Sequence, residues 1–391
     1  IAGAQMPGWG GYDYYRLSNV LTAVEPYNIG NNVEIMRSIN PAMPLVTTAF
    51  ATGPWEQHRI WYELLHGSRG NLIWDEKRDL VTKEGAIGDR GREVAPYYNE
   101  IRNGLGALLI NSVRQADPIA IHYSQASMRT EWMLAARPKG DAWVNRSSST
   151  ERMDSEFLRM RESYCRLVED LGLQYRFVAY AQMEQGELLK RGYRVLILPR
   201  SSALSEAEVQ AIREFVAHGG LVIADGEPGA FDEHSRRRPG SALASLFEGK
   251  QPRGGAVRFQ ALDYHQQRIT GKERGAHEAM RKLIAGHGVQ PEFTVLDAEN
   301  RPAVGVETHQ FRNGGVTIIG LLSNPQLRVN ELGPPEFKSN ERFEKPRTVR
   351  LLVPEGLHAY DIRGGKALER KREITVTLDP YQPAIFALSP A

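Results

Sequence analysis

The clearest alternation of apolar and polar positions lies in the middle of the chain. Tyr193–Arg200 (YRVLILPR) is a near-continuous apolar run, the pattern of a strand buried on both faces. SEAEVQAIREFVAHGG follows. Ser205 and Glu208 have capping-box spacing, Val209, Ile212, Phe215 and Val216 share one helical face, and Gly219 marks the stop. LVIAD (Leu221–Asp225) is the next buried strand. Upstream, the strands PIAIHYS and QYRFVAY flank SEFLRMRESYCRLVEDLG, an amphipathic helix with Phe157, Met160, Tyr164, Leu167, Val168 and Leu171 on its apolar face. Four strands alternating with helices predict a doubly wound, flavodoxin-like parallel α/β unit over residues 116–254.

The flanks carry different patterns. In residues 1–115, TAVEPYN, MPLVTTAF and NLIW are short strands, and VEIMRSI and Trp55–Leu65 are helices, which is the alternation of parallel β/α units. About three strands are visible, too few to close an eight-stranded barrel. PYYNEIRNGLGALLI leads out of this unit as a helix. The polar, basic stretch Phe231–Gly255 reads as a loop or linker. Residues 255–391 look mostly β after one helix, Ala276–Ala285. AVGVETHQFRNGGVTIIGLLS alternates on both sides of Asn313-Gly314-Gly315, a hairpin signal. With TVRLLVP, LHAYDIRGG and REITVTLDPYQPAIFALS it predicts a small antiparallel β-sandwich.

Composition narrows the function classes. The 391 residues are 41% apolar and 25% charged, with a net charge of +2, which argues against a nucleic-acid or membrane-surface protein. No apolar run approaches the roughly 20 residues of a membrane span, and no signal peptide is visible. The lone Cys165 rules out an internal disulfide framework and favours a cytoplasmic over a secreted setting. The chain opens on Ile1 rather than Met, so a trimmed or partial product is expected. No P-loop occurs, His122, His218, His234 and His309 lack metal-ligand spacing, and neither metal nor cofactor is expected.

Three stretches resemble family 42 glycoside hydrolases, the β-galactosidase-like enzymes. YRVLILPRSSALSEAEVQAIREFVAHGGLVIADG resembles their trimerisation domain, whose fold is similar to class I glutamine amidotransferases. RIWYELLHGSRGNLIWDE resembles the helix and last strand of their catalytic (β/α)8 barrel. DIRGGKALERKREITVTLDPYQPAIFAL resembles their C-terminal β domain. The resemblance implies the C-terminal part of a glycosidase acting on β-galactosides or related sugars. The missing half barrel would lie upstream or on a separate polypeptide, and the assembly would be a homotrimer. Such retaining enzymes use two carboxylic acids about 5 Å apart. The family's nucleophile falls at the end of the stretch LVTTAF, which offers Thr47, Thr48, Ala49 and Phe50 and no carboxylate. The catalytic residues are therefore unassigned. The alternative is an inactive relative that binds carbohydrate or serves assembly.

Candidate sugar contacts are Glu25 and Tyr27 at one strand end and Trp74, Asp75 and Glu76 at another, since strand C-termini carry the sites of such barrels. A Trp face suits a sugar ring and carboxylates suit its hydroxyls. The competing reading is a salt-bridged rim carboxylate at Glu25 and a buried Trp with a solvated acidic turn. Glu56 and His58 could face the same opening, although helix N-terminal solvation explains Glu56 more simply. His66, in LLHGSRG, reads as a structural helix-terminal histidine. Where glutamine-hydrolysing relatives of the middle unit have a nucleophilic cysteine, this chain has Asp225 or Gly226. Cys165 lies on an apolar helix face, so no amidotransferase activity is expected.

Overall fold

The structure is a computed structural model that describes residues 2–4, 12–26, 31–49, 52–75, 77, 79–137, 140, 155–249, 252–261, 264–324, 343–368 and 372–390. The first unit contains four short parallel strands, β1 (Ala2–Ala4), β2 (Val24–Pro26), β3 (Val46–Ala49) and β4 (Gly70–Ile73). β1 pairs with β2 and β3 with β4, and a parallel bridge from Val24 to Leu45 joins the two pairs. Helices Tyr14–Ser18, Asn32–Ile39 and Pro54–Leu65 connect them in turn. The strand pattern showed about three of these; the Gly-rich surroundings of β1 conceal the fourth. Helix Asp89–Glu100 runs through a kink at Asn103–Gly104 into Gly106–Ile110, as PYYNEIRNGLGALLI suggests. The chain then forms β5 (Val113–Arg114).

The middle unit is a five-stranded parallel sheet: β6 (Ile119–Tyr123), β7 (Arg176–Ala179), β8 (Val195–Leu198), β9 (Leu221–Ala224) and β10 (Gly255–Arg258). In chain order the strands lie 2-1-3-4-5, an order of doubly wound sheets. Both faces are covered. Ile121, Phe177, Ile197 and Ile223 pack toward helix Glu156–Asp170 and the first unit's Val33, Met36 and Leu45. Leu196, Leu198 and Val222 pack toward Ile212, Phe215 and Val216 of helix Glu206–Ala217. That helix has the capping box read from Ser205 and Glu208. β10 pairs with β9, so the parallel sheet reaches past residue 254, and Met280 and Ile284 of helix Arg274–Ala285 join its core.

The remaining strands are antiparallel: β11 (Val295–Leu296), β12 (Val306–Asn313), β13 (Val316–Ser323), β14 (Arg347–Leu352), β15 (Leu357–Asp361), β16 (Lys366–Ala367), β17 (Glu373–Leu378) and β18 (Ala384–Pro390). They form sheets in the orders β11-β14-β17 and β16-β15-β18-β13-β12-β5. Ile319, Leu321, Phe386 and Leu388 meet Val349, Leu351 and Leu378 of the smaller sheet in one apolar core. The β12–β13 hairpin turns on Gly314-Gly315, with Gly314 at φ +55°. β13 is buried on both faces. Ile318 and Leu322 point away from the shared core into a second one, built with Trp61 and Leu65 of helix Pro54–Leu65 and Leu105 and Leu109.

Helix Glu156–Asp170 departs from the amphipathic expectation. Its apolar face fills the middle core as read, but Arg161, Glu162, Arg166, Glu169 and Asp170 are buried as well. The reason is that helix Tyr264–Thr270 and the β domain together cover its polar side. Asp170 accepts hydrogen bonds from Arg268 Nε (2.7 Å), the Tyr264 hydroxyl (2.6 Å) and the Gly305 amide (2.8 Å).

A Cβ at Gly220 would stand 2.3 Å from Cε1 of the buried Phe215 ring. Gly220→Ala should therefore destabilise the chain by about 1–3 kcal/mol through overpacking. Urea unfolding checks this, and wild-type stability would show that the ring yields.

Candidate functional site

The candidate rim lies where the parallel strands of the first unit end. Glu25 is half-buried on β2, and the buried hydroxyl of Thr48 on β3 donates a hydrogen bond to its Oε1. Thr48 belongs to the stretch where the resemblance implies a carboxylate, and the neighbouring strand brings the Glu25 carboxylate to it. Trp74 follows β4 and is 52% exposed, so it is not the buried Trp of the competing reading. Asp75 accepts from the amides of Asp79 (2.7 Å), Leu80 (3.2 Å) and Val81 (3.2 Å), which organises the turn after β4. Slight desolvation works against its charge, but these N–H groups and Arg90 hold its carboxyl below the ordinary range. Tyr27, Phe50 and Glu76 lie outside the described residues.

Glu56 is buried at the start of helix Pro54–Leu65. Arg90 grips it with Nε and Nη2, both at 2.8 Å, and reaches the Trp74 carbonyl with Nη1 at 2.8 Å. Glu56 therefore anchors the Trp74 backbone through Arg90 instead of facing the opening. His58 turns away from the rim: its Nε2 donates to the Ser323 carbonyl at 2.8 Å, and burial lowers its pKa to about 4.

His66 lies in a buried charge hub where the three units meet. Its Nδ1 donates to Glu34 and its Nε2 to Glu307 Oε2 at 2.8 Å. Burial opposes the imidazolium, but the two carboxylates outweigh it and raise the pKa to about 9. Glu307 also accepts from His309 Nε2 (3.0 Å), from Arg166 Nη1 (2.8 Å) and from Asn324. Arg114 donates to His309 Nδ1 at 3.2 Å, which sets that ring's tautomer. Arg166 binds Glu169 (2.6 Å) and Glu162 (3.0 Å) besides. His66, Glu307 and His309 bring three ligand-type atoms within 4.8 Å, a grouping that the scattered histidine spacing does not reveal. Each of those atoms already shares a proton with a neighbour, and two guanidiniums press on the cluster, an arrangement suited to ion pairing rather than to a cation.

In the middle unit, buried His122 bridges Ser201 Oγ and Glu208 Oε1, both at 2.9 Å. Glu208 also accepts from the Ser205 amide, so this chain of groups belongs to the helix cap. Gly226 follows β9 at φ +57°, and burial raises neighbouring Asp225 to about 6. Cys165 is fully buried, and burial pushes its thiol pKa well up, which denies it a nucleophile's thiolate.

No family model matches the chain, and no curated protein matches it. Solved structures do. A β-galactosidase from Bacillus circulans sp. alkalophilus aligns with a TM-score of 0.67 at 12% identity, over 100% of this chain and 63% of that one. Gan42B, a GH42 β-galactosidase from G. stearothermophilus, gives 0.66 at 13%, over 100% and 64%. The exo-carrageenase GH42 from Bacteroides ovatus gives 0.59 at 12%, over 99% and 51%. The chain therefore has a mixed α/β multidomain fold like that of GH42 proteins. It spans between about half and two thirds of the length of these structures.

The hub makes its own test. The His66 proton is held to about pH 9 in the folded chain against 6.5 ordinarily, so its stabilisation is complete below pH 6.5 and is lost as pH rises through 9. Chemical denaturation from pH 6.5 to 9.5 should show that decline. His66→Gln should cost about 3–5 kcal/mol at pH 7, because Glu34 and Glu307 lose their shared counter-charge.

Proposed function

We propose that this chain is the C-terminal part of a glycoside hydrolase acting on β-galactosides or related sugars. In this reading the four parallel strands are the last staves of a (β/α)8 barrel. The five-stranded sheet is a glutamine amidotransferase-like trimerisation unit, and the antiparallel sheets are the terminal β-sandwich. An N-terminal half barrel, on the same or a separate polypeptide, completes the site, and the assembly is a homotrimer. The observation that carries the reading is the line of strand ends presenting Glu25, Thr48 and an exposed Trp74 within a GH42-like fold. Glu25, Tyr27, Trp74, Asp75 and Glu76 contact the sugar. Trp74 offers its face to the ring, and Glu25 accepts from hydroxyls beside Thr48.

A second reading, sugar binding without hydrolysis, draws on Thr48. A threonine hydroxyl cannot form the glycosyl ester of a retaining mechanism, and here it is already engaged with Glu25.

With the upstream half supplied, hydrolysis of an aryl β-galactoside should be measurable. Glu25→Gln should then lower kcat/KM about 10- to 100-fold, the worth of a hydrogen bond to a charged group. Sugar binding with no turnover in the completed protein would favour the second reading. Unchanged kinetics and affinity in Glu25→Gln would remove Glu25 from the site. Native mass measurement should give three copies of the 43.8 kDa chain; a monomer at all concentrations would end the trimer proposal.

A further inference from the structure

At the opposite end of the first unit's strands, away from Glu25 and Trp74, lies a cavity of about 370 Å³. It opens among Met43 and Leu45 before β3, Ser68 and Arg69 before β4, the segment Leu109–Ala116, and the first residue of β7. Four arginines line it, Arg37, Arg69, Arg114 and Arg176, and among the described residues no aspartate or glutamate does.

The charge on this wall is in excess. Helices Asn32–Ile39 and Pro54–Leu65 both end here, and a helix C-terminus carries roughly half a negative charge. Together these offset about one guanidinium. Glu34, beneath the cavity, pairs with Arg37 and lies 3.7 Å from Arg114, but it is shared with His66. Among the described residues, neither Arg69 nor Arg176 has a carboxylate partner. Burial is the main cause that lowers the Arg176 pKa; the Arg37 and Arg191 charges add to it, while Tyr193 and Glu34 work against it.

Behind the wall the packing is tight. Nε of Arg37, Nε of Arg114 and Oγ of Ser38 are buried without a hydrogen-bond partner among the described residues. Ser38 is 2% exposed. The geometry is built around Arg37: a Cβ at Gly67, which has φ +95°, would stand 2.8 Å from Arg37 Cδ, so the glycine gives the arginine its path.

We propose that this arginine-lined cavity binds a small tetrahedral oxyanion, a phosphate or a sulfate. Guanidinium forks match such oxygens bidentately, and several converging on one cavity select a multivalent anion over chloride. Arg69 and Arg176 lie outside the hub and bind the anion directly; Arg37 and Arg114 carry the hub's charge into the wall.

The test is calorimetric and thermal titration of the purified chain with inorganic phosphate, with sulfate, and with sodium chloride at matched ionic strength. Phosphate or sulfate should raise Tm saturably and chloride should not. Binding of both defines a general oxyanion site, and binding of one identifies the anion. The Arg69→Ala/Arg176→Gln double variant removes none of the hub's hydrogen bonds described above. It should keep the anion-free Tm and bind at least about tenfold more weakly. The proposal fails if neither anion gives a saturable effect beyond chloride, or if the double variant binds as the wild type does.

Discussion

A carboxylate with no access to water has to be matched where it stands, and Glu307 imposes that condition on the whole chain. Its donors come from the first unit (His66), the middle helix (Arg166), its own strand (His309) and the end of the hairpin (Asn324). A charge satisfied from several directions in a low-dielectric interior loses heavily if any one partner is displaced. The apolar cores hold the three units together, and the hub joins groups from all three of them. Replacing such a network by well-packed apolar groups often costs little stability, so its contribution is best sought in the uniqueness of the docking.

Much of the middle unit was legible because its signals are local. The Ser205–Glu208 capping box and the run in β8 each depend on neighbours a few residues away, as does the Gly314-Gly315 turn of the C-terminal unit. β1 and β10 were harder, since three or four residues among glycines and charges have no period to read. The polar face of helix Glu156–Asp170 shows the opposite error: charge at helical spacing normally means solvent, and here a later domain covers it. The hub was invisible for the same reason. His66 and Glu307 are 241 residues apart, although Glu307 and His309, two titratable residues on the same face of a hairpin strand, were the available hint.

The rim shows what residue type alone leaves open. Trp-Asp-Glu at a strand end suits a sugar site, and exposed Trp74 keeps that chemistry available. Asp75, however, already accepts three backbone amides, and Glu56 is claimed by Arg90. The two ends of the first unit's strands also differ in charge. Glu25 stands at the C-terminal side, while the arginines gather at the N-terminal side, beside the domain junction. The proposed anion site and the proposed sugar site thus lie at opposite ends of one short β/α array.

β5 has a bearing on how the chain can be made. Val113 and Arg114 pair with Arg312 and Phe311, so the last stretch of the first unit becomes an edge of the C-terminal sheet before the middle unit begins. During synthesis this strand waits for a partner until the β12–β13 hairpin has left the ribosome, and Arg114 waits equally long for His309. The three units are therefore unsuited to exchange as independent modules. A cut anywhere between β5 and β12 should unsettle both flanks at once, and recombination among related proteins would have to move these segments together.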